Sequence, residues 1–85
     1  MYLNLGGGTV ISEQSVIGIF DLDITSQSYI TRNYLSGAEK RGEVINTAED
    51  IPKSYVICEE NGRKTVYLCQ PAAATLLKRS ETGII

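Results

Sequence analysis

A chain of 85 residues is expected to form one domain, residues 1–85, burying only a little over ~60% of the surface its unfolded form exposes, so a second copy is expected to complete its core. Its composition, 42% hydrophobic and 21% charged, excludes a disordered or fibrous chain, and its net charge of −2 offers no general attraction to polyanions. Contact with nucleic acid therefore requires a local cluster of cations.

At the N-terminus Tyr2-Leu3-Asn4-Leu5 alternates weakly, Gly6-Gly7-Gly8 supplies a turn, and Thr9-Val10-Ile11-Ser12 follows, which predicts a first hairpin. No basic residue precedes Arg32 and no stretch approaches ~20 apolar residues, so neither an export signal nor a membrane span is expected. The glycine run is read as a turn in preference to a phosphate cradle, because β-branched residues follow it where a phosphate loop would open a helix. Val16 to Asp21 predicts a third strand with Gly18 as a bulge or close-packing point.

Thr25-Ser26 offers a helix N-cap, and Ile30, Tyr34 and Ala38, with Leu35 beside them, form one apolar stripe. The spacing predicts a helix over 26–41, ended by Gly42 in a left-handed cap with Lys40-Arg41 at the negative end of its dipole. A short strand at Val44-Ile45 and a polar stretch to Asp50 come next. Asn61-Gly62 is the preferred centre of a two-residue hairpin turn, and pairing outward from it sets Glu60 opposite Arg63, Glu59 opposite Lys64 and Cys58 opposite Thr65. In that register Cys58 and Cys69 share a face but lie about 13 Å apart, too far to bridge. They are read as reduced core thiols of a cytoplasmic protein. Pro71 predicts the first turn of a final helix over 72–79, with Leu76 and Leu77 inward and Lys78-Arg79 at its end. Ser80 to Ile85 is expected to be loosely ordered.

The chemistry excludes more than it assigns. Without histidine there is no general base poised near neutral pH, the serines lack an activating imidazole, and two separated cysteines make no zinc set. The expectation is a protein that is neither an enzyme nor a carrier of a cofactor or metal. All eight basic residues lie at or after Arg32, and helix ends or cross-strand acids account for most of them. Lys53 is different: it follows the rigid Pro52 at the start of a strand with no local partner evident, where a held cation could meet a phosphate. Lys40, Arg41, Arg63 and Lys64 complete the candidate nucleic-acid contacts, which a symmetric oligomer would repeat and sum.

An ordered series of strings extends over 2–79: Ile19-Phe20-Asp21, Thr25-Ser26, Ala38-Glu39-Lys40, Pro52-Lys53-Ser54, Val66-Tyr67-Leu68 and Thr75-Leu76-Leu77-Lys78-Arg79. In order and spacing the series resembles the RemA/RemB-like family of bacterial biofilm-matrix regulators, most closely its RemB-type branch. The resemblance implies a cytoplasmic, LytTR-like α+β fold: a small antiparallel sheet built from hairpins, one central helix and a short C-terminal helix. It also implies a ring or other homo-oligomer and a DNA-binding role in transcription of matrix genes. Ser15 stands where the RemA-like branch places a basic residue, and Asp50-Ile51 where it has adjacent arginines. These departures keep a second expectation open, an oligomeric interaction module that acts through a partner regulator without touching DNA.

Overall fold

Eight regular elements follow one another in a computed structural model that describes residues 2–22 and 28–82. They are β1 (Tyr2–Gly6), β2 (Thr9–Ser12), β3 (Val16–Asp21), α1 (Tyr29–Lys40), β4 (Val44–Asn46), β5 (Ser54–Glu60), β6 (Arg63–Cys69) and α2 (Ala73–Thr82), with a 3-10 turn at Glu13–Ser15. The expected α+β class holds, but the strands divide into two sheets. β1 and β2 form a two-stranded hairpin, and the second sheet runs in the order β3-β5-β6-β4.

This larger sheet is mixed where an antiparallel one was expected. β4 pairs in parallel with β6, Val44 beside Val66, because α1 returns the chain across the sheet before β4 is laid down. The hairpin of β5 and β6 thus fills the space between β3 and β4. Its register is the one Asn61-Gly62 predicts: both turn residues have positive φ, and Glu60, Glu59 and Cys58 stand opposite Arg63, Lys64 and Thr65. Neither charge pair closes to an ion pair among the described residues, so the turn and the apolar pattern set this register.

Alternate residues send two apolar clusters to opposite sides of the sheet. Val56, Cys58 and Cys69, with Ile19 and Tyr67, meet Leu3, Leu5 and Ile11 of the small hairpin and Leu76 of α2. On the other side Phe20, Tyr55, Ile57, Val66 and Leu68 pack under Tyr34, Leu35 and Ala38 of α1. The fold is therefore three layers, with the four-stranded sheet in the middle. Gly18 follows the bulge at Ile17, and its missing side chain leaves room for the Phe20 ring, which stacks on Tyr55 at 4.9 Å between centroids.

Several boundaries differ from expectation. The Thr25-Ser26 cap lies outside the described residues, and α1 begins at Tyr29 after Ser28, which makes no side-chain capping bond. Its apolar contacts start at Tyr34, so Ile30 stays 78% exposed. Gly42 does end the helix at positive φ, its N–H donating to the Glu39 carbonyl. Pro71 precedes α2 by two residues; its carbonyl accepts from the buried Ser54 hydroxyl at 2.7 Å. The helix continues to Thr82, past the expected end, because Arg79 Nη1 donates to the Asn4 carbonyl at 2.9 Å and Ser80 Oγ to Glu13 Oε1 at 2.7 Å. Leu76 is buried as expected, whereas Leu77 is half exposed. No helix among the described residues is long and apolar enough to cross a membrane.

Candidate functional site

The five cations named from the sequence occupy three places. Val66 N–H donates to the Glu43 carbonyl at 2.8 Å, which draws the chain leaving α1 alongside the start of β6. The C-terminal end of α1, with Lys40 and Arg41, thus lies at the same end of the sheet as the start of β6, which carries Lys64. Lys64 is two residues before Val66, so it projects from the same side of the sheet, the side that α1 covers. Arg63 alternates to the opposite side and lines a hollow of about 460 Å³ with Tyr2, Ser15, Cys58, Thr65 and Tyr67. Lys53 stands at the far end of β5, roughly 25 Å from the hairpin turn at the usual rise per residue.

Acids accompany these cations. Arg41 Nε reaches Glu43 Oε1 at 3.1 Å, and the Arg41 side chain lies back across Gly37, where a methyl group would sit 3.1 Å from its guanidinium. Lys64 faces Glu59 and Arg63 faces Glu60 across the hairpin without direct contact. The side chain of Lys53 is exposed and unpartnered among the described residues, as its position after Pro52 predicts. Arg32 and Ser36, which the sequence reading passed over, join Lys40, Leu35 and the carboxylate of Glu39 along a shallow hollow of about 430 Å³ on α1. The signal that finds them is the four-residue spacing from 32 to 36 to 40.

Both cysteines are free and buried. Burial pushes both thiols up, Cys69 to about 11, with the nearby Thr47 and Ser54 side chains opposing that rise there and Ser15 moderating it at Cys58. Thiols held in this way are poor nucleophiles near neutral pH. Among the described residues no cluster of three or more histidines, cysteines or acids is placed to hold a metal ion.

No family model matches the chain. It is, however, 30% identical over 81 residues to extracellular matrix regulatory protein B of Bacillus subtilis (strain 168), covering 95% of this chain and 91% of that protein. The chain belongs to the RemA/RemB-like family. In this RemA/RemB-like chain, the residues at Ser15 and Asp50-Ile51 are fixed by hydrogen bonds. Ser15 spends its hydroxyl on the Ser12 carbonyl at 2.7 Å, inside the 3-10 turn. Asp50 and Ile51 are gripped by Gln70, whose Oε1 accepts from Asp50 N–H at 2.9 Å and whose Nε2 donates to the Ile51 carbonyl at 3.2 Å. The loop presents a carboxylate and a 77% exposed isoleucine.

Proposed function

We propose that this chain is a cytoplasmic regulator of biofilm extracellular-matrix genes that self-associates and contacts DNA. Support for the DNA contact comes from Lys40, Arg41 and Lys64 lying at the same end of the sheet, from two separate stretches of sequence. Three cations cannot hold a duplex alone, but copies of that end around an oligomer would sum weak phosphate contacts through avidity. Support for self-association comes from the exposed apolar side chains Ile30 and Ile51, each at least 77% accessible on one chain. Lys53 and Arg63 reach the same duplex only if neighbouring copies bring them to a shared rim.

A second reading, action through a partner regulator without DNA contact, is favoured by the acids beside these cations and by Ile51 on its rigid loop. Complementation separates family role from mechanism. Expressed in Bacillus subtilis lacking extracellular matrix regulatory protein B, this chain is expected to restore a matrix-gene reporter. A Lys40→Ala/Arg41→Ala/Lys64→Ala variant that is folded but silent supports the DNA reading. Full activity of that variant favours the partner reading, and no rescue by the parent chain contradicts the regulatory assignment.

A further inference from the structure

Helix α1 turns toward solvent a face made of hydrogen-bond donors. With buried Ala38 marking the inward direction, the 100° step per residue sets Tyr29, Arg32, Asn33, Ser36 and Lys40 on the outward half, and all five are exposed. A phenol, a guanidinium, an amide, a hydroxyl and an ammonium each have an N–H or O–H to give. No acid lies in the first turn, and the first carboxylate on the helix is Glu39, on the flank.

A solvated helix usually answers its cations with carboxylates three or four residues away. Here Arg32 has Ser28, Tyr29, Leu35 and Ser36 at those positions, and Lys40 has Ser36 and Gly37. Among the described residues neither cation makes a side-chain hydrogen bond or ion pair. Arg32, Ser36 and Lys40 follow one another along about 12 Å of helix axis and line the same hollow, together with Leu35 and the carboxylate of Glu39. The line leads toward the end of the sheet where Arg41 and Lys64 stand.

We infer that the outward face of α1 is a phosphate track for a nucleic-acid strand, with Arg32 and Lys40 against phosphates and Ser36 donating its hydroxyl between them. The inference rests on the DNA-contact reading and adds Arg32 and Ser36 to it. Charge complementarity selects the occupant: Arg32 and Lys40 outweigh the one carboxylate of the hollow, Glu39, and with the Ser36 hydroxyl between them they match successive phosphates.

The test is fluorescence anisotropy of the full chain with a labelled duplex from upstream of a matrix operon, across a salt series. Parent protein, Arg32→Ala, Ser36→Glu and Ser36→Thr are compared after thermal melts show equal stability, as expected for exposed positions. Arg32→Ala is expected to reduce the slope of log K against log salt by roughly 0.9 per engaged subunit. Ser36→Glu is expected to weaken binding about tenfold or more by placing an acid in the track, while Ser36→Thr keeps the hydroxyl and binds like the parent. Parent-like affinity and slope for both Arg32→Ala and Ser36→Glu overturn the track and leave DNA binding standing. Failure of the parent to bind at low salt removes the underlying reading itself.

Discussion

Gly7 shows how a single residue ties distant parts of this chain together. It has φ +59, and a side chain there would begin 2.4 Å from the Thr47 carbonyl oxygen, so the turn between β1 and β2 touches the loop that follows β4. Gly8 also has positive φ but open space around it. Gly8→Ala is therefore expected to cost about 1 kcal/mol from backbone conformation alone, and Gly7→Ala roughly 1–3 kcal/mol more, because the loop must shift. Chemical denaturation of the two variants checks the order, and equal losses would contradict the contact. The thiols give a second prediction at this scale. A thiol raised from an ordinary 9.0 to about 11 in the folded chain favours folding below the lower value and loses that contribution as pH rises through the higher one. Stability is expected to fall between about pH 9 and 11, with Cys58 and Tyr67 shifted in the same direction by burial. Cys69→Ser should flatten part of that decline, which melts at stepped pH will register.

Elements were legible in the sequence where local chemistry decides them. Asn61-Gly62 fixes the pairing of β5 with β6, and Gly42 ends α1, because both act through their own backbone conformation. The parallel place of β4 beside β6 was not legible, since three residues, Val44–Asn46, acquire that partner only when α1 docks and returns the chain. The same holds for α2. A lone Lys-Arg pair reads as a helix end, but the Arg79 bond to the Asn4 carbonyl spans almost the whole chain and carries the helix a further turn. Docking of α2 depends on Leu76, so Leu76→Ala is expected to destabilise by about 2–5 kcal/mol, whereas half-exposed Leu77→Ala should change stability by under about 1 kcal/mol. Comparable losses from the two would mean that α2 packs through another face.

At the scale of the molecule, the candidate contacts were legible as residue types but not as a surface. Which cations share an end of the sheet depends on the alternation along β6, which turns Lys64 toward α1 and Arg63 away, and on the crossover that ends α1 beside the start of β6. Lys53, the cation most conspicuous in the sequence, lies at the opposite end of the same hairpin. One subunit thus offers several small groups of charge, and the proposed regulator works by repeating them. The most direct measurement is the affinity of the purified full chain for duplex DNA from upstream of a matrix operon, from low to physiological salt, beside the Lys40→Ala/Arg41→Ala/Lys64→Ala variant. The account predicts binding that weakens steeply with salt, and a variant whose log K against log salt is shallower by roughly 0.9 for each phosphate contact removed. No binding by the parent at low salt, or an unchanged slope in the variant, would contradict it.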